Sequence, residues 1–134
     1  MDEDKIQARR REQDEEATRR RASILGLQYL DGREFEDTLP LLKDVLTIEE
    51  MYKGRLVPLA FNEEDQSYRF GVTSQTSESL MKRMRDQYVE NGKRIFFFLI
   101  SGSAFRSIML RFDPPKKVIY DNIEIAKEGD SDTL

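Results

Sequence analysis

The sequence predicts an α+β fold, in which a small mixed sheet of about four strands is packed by helices and preceded by a charged helical arm. Two patterns of apolar residues predict it. In some segments apolar residues recur with the helical period of 3.6, and in others they alternate or run unbroken, as in half-buried and fully buried strands. Both patterns fall within residues 24–112, which are enough for one modest hydrophobic core.

Composition narrows the classes of function. The 134 residues include no His, Cys or Trp, so a serine triad, a thiolate metal site and a disulfide framework all lack their residues. The net charge of -4 disfavours a general nucleic-acid binder. The N-terminal segment is charged throughout, unlike a secretory signal, and no apolar run reaches the roughly 20 residues that cross a bilayer. The lack of Cys fits a reducing cytoplasm.

Residues 1–21 are predicted to form the helical arm. They contain no Gly or Pro, and Glu15 stands four positions before Arg19, which is the favourable order for an ion pair on a helix. Apolar side chains are few, so the arm lacks a face that could join a core. We interpret it as a solvated helix that is separable from the domain, with docking onto a partner as the alternative. The candidate partner-binding residues are two arginine triplets that we expect to form one cationic flank: Arg9, Arg10, Arg11, Arg19, Arg20 and Arg21.

The folded domain is predicted over residues 22–113. Apolar residues between 25 and 30 indicate a short strand that ends in an Asp-Gly turn. A stripe of apolar residues over 39–45 predicts a helix with a proline in its first turn. Residues 47–54 begin with the spacing of a capping box, and the short helix that they form is predicted to end at Gly54 as a left-handed cap.

The second half of the domain begins with a hairpin. Residues 56–61 form an apolar strand whose proline lacks an amide donor, which is typical of an edge strand or of the start of a strand. Residues 68–72 alternate as its antiparallel partner. Residues 77–90 carry one apolar helical face after a run of hydroxyl residues. The unbroken apolar run 95–100 predicts a central strand covered on both faces, and the period of residues 105–112 predicts a final helix.

The character of the chain changes over residues 114–134. Residues 118–120 and 123–125 predict one short strand each. The acidic remainder after residue 125 has no apolar period and is typical of a flexible linker. We therefore expect this segment to lead toward a further domain.

The patterns that could carry ligand chemistry are weak. Neither the phosphate loop Gly-x-x-x-x-Gly-Lys-Ser/Thr nor the dinucleotide-binding motif Gly-x-Gly-x-x-Gly occurs. One of Ser101 and Ser103, at the start of the last helix, is interpreted as an ordinary helix cap. The acidic turn at residues 63–65 lacks the ligand spacing of a calcium loop and is interpreted as solvated. Residues 96–98 are all Phe, and we interpret them as a sheet centre because no basic groove accompanies them to form a base-stacking platform.

An enzyme that uses only carboxylates is the remaining catalytic alternative. Its candidates are Asp31, Glu34 and Glu36, which lie in a polar segment without an apolar pocket that would raise a pKa. The sequence therefore predicts no catalytic residue, no metal site and no cofactor in this chain.

Three segments carry a resemblance to a known family. ILGLQYLD at residues 24–31 is similar to the family's opening lgLpyvdL, LTIEEMYKGRLVPL at 46–59 to its segment ipeelarkyrvlPl, and FGVTS at 70–74 stands where the family has a strand followed by vAmaDP. The family is the N-terminal domain of the type II secretion and type IV pilus assembly ATPases. The later helix, strand and helix follow in the family's order, so the resemblance covers about residues 22–113.

The resemblance implies a two-layer αβ sandwich without catalysis of its own. Such a domain docks and regulates a hexameric motor at a platform protein on the cytoplasmic, inner face of the cell membrane. The implied partners are that platform protein and the rest of the motor hexamer, with the membrane involved only indirectly and no nucleic acid. ATP and Mg²⁺ would belong to a motor domain beyond the linker.

Two further interpretations stay open beside the motor domain. Some relatives bind cyclic di-GMP through an Arg-Leu-Gly motif, and here Ile24 precedes Leu25 and Gly26, which disfavours that ligand. The other interpretation is a stand-alone protein-interaction adaptor domain, whose arm binds a protein partner.

Overall fold

The structure is a computed structural model that describes residues 2–116. Its helices are α1 (Glu3–Leu25), α2 (Ile48–Gly54), α3 (Glu78–Glu90) and α4 (Gly102–Phe112). Its strands are β1 (Gln28–Tyr29), β2 (Leu56–Asn62), β3 (Ser67–Val72) and β4 (Arg94–Leu99), and a single 3₁₀ turn (Gly32–Glu34) follows β1. The two strands predicted at 118–120 and 123–125 and the predicted linker lie outside the described residues.

The four strands form one open mixed sheet in the order β1-β4-β3-β2. β2 and β3 pair antiparallel as a hairpin, whereas β4 is parallel to both of its neighbours, β1 and β3. The predicted α+β class with a small mixed sheet is therefore confirmed. Pro58 lies in β2 at the sheet edge, where a residue without an amide donor costs no ladder bond on the open side.

Helices cover both faces of this sheet, which refines the two-layer description. On one face the aromatic rings of Phe70 and Phe97 pack with Met84 of α3. On the other face Val57 of β2 packs with Phe105 of α4 and its apolar neighbours. Side chains of successive strand residues point to opposite faces, and β2 contributes to both clusters, with Leu56 on the α3 side and Val57 on the α4 side.

The helix predicted over residues 39–45 is wrong. The chain there makes turns without a helix, although Leu39 is buried and Leu41 is partly buried against the α4 side of the core. Apolar spacing predicted which side chains are inside but not the backbone that places them. A loop that inserts a few leucine side chains into the core buries the same apolar residues as the stripe of a helix would.

The capping box at the start of α2 is confirmed, but the predicted cap at its end is wrong. The Glu50 amide donates to the Thr47 hydroxyl at 3.0 Å, and the Thr47 amide donates to the Glu50 carboxylate at 2.9 Å. Gly54 is the last residue of the helix, and the left-handed residue is Arg55, with φ of 58°. A Cβ at Gly54 would lie 2.5 Å from a terminal methyl of Leu56, so a larger residue there would displace that buried side chain.

Strand β4 is an interior strand, as predicted, but it is not covered on both faces along its whole length. Phe97 is buried at 7% exposure, whereas Phe96 on the opposite face is 42% exposed. Helix α4 packs toward β2, so the first half of β4 is left open on that face. An unbroken apolar run therefore predicted the interior position correctly and the second covering layer wrongly.

Candidate functional site

Helix α1 is longer than the predicted arm. The side chain of Asp2 accepts a hydrogen bond from the Lys5 amide at 3.0 Å and so caps the first turn. Gly26, with φ of 73°, caps the other end. The helix thus includes residues 22–25, which were expected to begin the folded domain. A helical arm is confirmed, and its boundary lies a full turn later than predicted.

The interpretation of this arm as a solvated helix is wrong, because one face of α1 packs on the domain. Glu15 is 1% exposed and Ala22 is 2% exposed. Arg11, Asp14 and Thr18 are partly buried on the same side, at helical spacings of three and four residues. A search for an apolar stripe misses this face, since most of its side chains are polar.

The buried carboxylate of Glu15 is the centre of that face. It accepts hydrogen bonds from the Tyr29 hydroxyl at 2.5 Å, the Ser101 hydroxyl at 2.6 Å and Arg11 Nε at 2.7 Å. Three donors, one of them cationic, offset the cost of removing a charge from water. Through this one side chain, α1 is tied to β1 and to the start of α4.

Arg11 extends the network to the segment after the 3₁₀ turn. Its two terminal nitrogens donate to both oxygens of the Glu36 carboxylate, at 2.7 and 3.2 Å. This bidentate pair, together with the bond to Glu15, raises the pKa of Arg11 above its already high ordinary value. Arg11 is therefore committed to contacts within the protein.

Asp14 occupies the amino terminus of α4. One of its carboxylate oxygens accepts from the Ser103 hydroxyl at 2.5 Å and from the Ser103 amide at 3.1 Å. An acidic group at this end of a helix is favoured by the helix dipole. Ser101 is a helix cap as predicted, since its hydroxyl accepts from the Ala104 amide at 3.0 Å, but it also donates to α1. The acid pair 14–15 and two hydroxyl residues at a helix start were the sequence signals for this junction.

Tyr29→Phe is expected to lower the free energy of unfolding by about 1–2 kcal/mol at neutral pH, because Glu15 loses one of its three donors. Burial, and then the hydrogen bond to Glu15, raises the pKa of Tyr29 above its ordinary value of 10.0. The unfolded chain therefore loses this proton first, and native stability falls as the pH rises above that value. The variant should flatten this alkaline loss, measured by urea unfolding between about pH 7 and pH 11.

Tyr52→Phe is the control for that measurement. Tyr52 is 45% exposed and donates to Asp113 at the surface, so its replacement should change the stability at neutral pH little. An alkaline stability loss in Tyr29→Phe as steep as in the wild type would contradict the assignment to the Glu15 network.

The structure divides the six candidate arginines among different surroundings. Arg11 is held by carboxylates, and Arg19 pairs with Glu16 at 2.7 Å while its guanidinium carbon lies 5.2 Å from the centre of the Tyr29 ring. The remaining four are exposed: Arg9, Arg10, Arg20 and Arg21. The six do not form the one cationic flank that was expected, because Arg11 is partly buried and bonded to carboxylates of the protein, and Arg21 also lines a cavity at the end of the sheet.

The three carboxylates of the catalytic alternative do not gather into one site. Asp31 pairs with Arg33 at 2.7 Å, and hydrogen bonds from the Arg33 side chain hold the pKa of Asp31 below its ordinary value. Glu36 is held by Arg11, and Glu34 is exposed. Two of the three therefore serve ion pairs that fix the segment after β1.

Two kinds of feature were not found among the described residues, a cluster of metal ligands and a membrane-spanning helix. Within residues 2–116, no group of three or more acidic side chains is arranged to hold a metal ion. The acidic turn at 63–65 is closed by a hydrogen bond from the Glu64 amide to Asn62 at 2.9 Å, as in an ordinary polar turn. None of the helices over the same residues combines the length and apolar character of a membrane span.

An open groove of about 650 Å³ lies between α2 and α3. Leu56, Leu80 and Met84 form its apolar floor. Lys53 and Arg83 lie at its border. The groove and the outer face of α1 are thus two separate surfaces with exposed cations.

Comparisons with known proteins add no relative to this picture. No protein-family model, curated protein or solved structure matches the chain. The function proposed below therefore depends on the three segments that resemble the family and on the geometry of residues 2–116.

Proposed function

We propose that the chain is a non-catalytic docking and regulatory N-terminal domain of a hexameric type IV pilus assembly or type II secretion ATPase. It couples the motor to a platform protein at the cytoplasmic face of the membrane. The observation that carries the proposal is the resemblance over residues 22–113. Three segments of the chain are similar to three segments of the family and follow one another in the same order.

The fold supports this proposal through the order of its elements. The segments that carry the resemblance correspond to β1, to α2 with the start of β2, and to the end of β3. They are followed by α3, β4 and α4 in the order that the resemblance implies. The helix missing at residues 39–45 departs from the prediction made for that part of the chain.

The outer face of α1 supplies the first candidate contact surface. Its inner face is occupied by the Glu15 network, so the helix has a fixed orientation on the domain. This orientation leaves Arg9, Arg10 and Arg20 exposed. Exposed cations steer an acidic partner and set the rate of association more than the final affinity, so binding through them is sensitive to salt.

A pull-down from the native cytoplasm and inner membrane tests the proposal. The wild-type chain should recover a component of a pilus or secretion machine. A bait with Arg9, Arg10 and Arg20 changed to Gln should recover less of it, and the recovery by the wild type should fall with added salt. None of these three side chains joins the Glu15 network, so the fold is expected to persist.

The matched control changes three exposed cations at α2 and α3, namely Lys53, Lys82 and Arg83, to Gln. It removes the same charge from a different surface, the side of the 650 Å³ groove. Loss of binding in the control alone would move the docking surface from α1 to the groove. Recovery of no pilus or secretion component by the wild type would contradict the docking role itself.

A further inference from the structure

A second cavity, of about 280 Å³, opens where the parallel strands β3 and β4 end. The segment 73–77 leads from β3 into α3, and residues 100–101 lead from β4 into α4. These two helices cover opposite faces of the sheet, so the connections diverge. Divergence of neighbouring connections at the carboxyl ends of parallel strands leaves a crevice, which is a common position for ligand binding in open sheets.

Three arginines from separate parts of the fold line this cavity. Arg21 comes from α1, Arg55 from the junction between α2 and β2, and Arg106 from α4. Among residues 2–116, none of the three guanidinium groups lies within 4.0 Å of a carboxylate. Arg106 donates instead to the Ser103 hydroxyl at 3.3 Å. The chain has 26 acidic residues against 22 basic ones, so guanidinium groups without a carboxylate partner around one cavity are not the result of a shortage of acids.

Arg55 combines two features, each of which lowers the stability of the fold. It adopts the left-handed conformation with φ of 58° that favours Gly at the end of a helix. Its Nε is buried without a hydrogen-bond partner among the described residues, while its guanidinium carbon lies 4.5 Å from the centre of the Phe105 ring. Strained backbone and unsatisfied buried donors concentrate at functional positions.

Uncharged donors complete the lining. Thr73 is 5% exposed, and its hydroxyl oxygen accepts from the Gln75 amide at 3.1 Å. The hydroxyl proton of Thr73 has no acceptor in the part of the chain that the structure describes. Gly102 is the first residue of α4, and an amide at that position has no acceptor within its own helix.

One carboxylate also lines the cavity. Asp14 is held by the Ser103 hydroxyl and amide at the start of α4, at 2.5 and 3.1 Å. It occupies part of the anion-binding end of the helix and leaves the three guanidinium groups unneutralised. The cavity therefore keeps a net positive charge, with one acid against three bases.

We propose that this cavity binds the phosphate group of a small soluble ligand, such as a phosphate ester or a diphosphate. Guanidinium groups match phosphate oxygens with paired donors, and the size of the cavity suits one or two phosphate groups better than a drug-sized molecule. Because Arg21 belongs to α1 and the other two arginines to the domain, a bound phosphate would add a further link between them.

Titration with inorganic pyrophosphate, followed by calorimetry and by amide NMR shifts, tests the proposal on the full chain. The wild type should show saturable binding with shifts at Thr73 and Gly102. The double variant Arg21→Gln, Arg106→Gln should bind at least about tenfold more weakly, because it loses two charge-assisted contacts. Both side chains are exposed, so the variant is expected to fold.

The control is Arg9→Gln, Arg20→Gln, which removes the same charge from the outer face of α1 and should keep the wild-type affinity. Equal weakening in both double variants would overturn the site in favour of general charge attraction, and so would an absence of saturable binding at millimolar pyrophosphate. Binding to vesicles of anionic phospholipid without any response to pyrophosphate would contradict the proposal that the ligand is a small soluble molecule. Since Arg21 and Arg106 are unchanged in the pull-down baits, this result is independent of the docking test.

Discussion

Phe70→Asp is expected to prevent the chain from folding. Phe70 is 0% exposed in the middle of β3, with the rings of Tyr88 and Phe97 centred 6.0 and 6.1 Å away. An unpaired carboxylate there costs several kcal/mol, and the lost aromatic side chain costs about 3–5 kcal/mol more. Together these penalties approach the whole stability of a domain of this size, about 5–15 kcal/mol. Circular dichroism and urea unfolding measure the outcome.

Phe96→Asp is the matched control. It adds the same charge in place of the same residue type on the neighbouring strand, but Phe96 is 42% exposed on the opposite face of the sheet. We expect this variant to stay soluble and to unfold cooperatively. A Phe70→Asp protein that unfolds with wild-type cooperativity would show that the assignment of the two faces is wrong.

Glu15→Ala is expected to destabilise the protein by about 3 kcal/mol or more. The substitution leaves the Tyr29 and Ser101 hydroxyls without their acceptor and removes one of the two carboxylates bound to Arg11. Breaking a buried, hydrogen-bonded charge network from one side costs about 3–5 kcal/mol. The free energy of unfolding in urea gives the value directly.

The neighbouring Glu16→Ala separates this effect from the loss of any acidic residue in α1. Glu16 is half-exposed and pairs with Arg19 at the surface, a contact worth at most about 1 kcal/mol. Deletion of residues 2–20 should likewise cause a large drop in melting temperature, because it removes the Glu15 network. A deletion with an unchanged melting temperature would return α1 to the solvated, separable arm that its composition predicts.

Much of the fold could be predicted from the sequence because its signals are local. The β2–β3 hairpin, α3 and α4 follow from the period of their own apolar residues, and the interior strand β4 follows from its unbroken apolar run. The starts of α2 and α3 follow from caps at Thr47 and Ser77. The prediction failed at residues 39–45, where leucines are inserted from a loop into the core. Period alone does not separate that loop from a helix.

The candidate sites depend on distant pairs and could not be predicted in the same way. Ser101 lies 86 positions from the carboxylate of Glu15 that it bonds, and the three arginines of the proposed phosphate cavity lie on three separate segments. Buried polar groups are nearly always hydrogen-bonded. A polar residue is therefore predicted to be exposed to solvent unless the sequence also shows its hydrogen-bond partner. The composition of α1 therefore predicts a solvated helix, whereas the structure buries one of its faces.

The sequence by itself determined the α+β class, the order of most elements and the lack of the residues needed for thiolate or histidine chemistry. The tertiary structure alone decided that α1 docks through a buried acid, that Phe96 is left open, and that Arg21, Arg55 and Arg106 meet at one cavity. Local periods record which side of an element faces the core. The topology determines which polar groups meet. The strand order, together with the packing of α3 and α4 on opposite faces of the sheet, brings distant segments to the same edge.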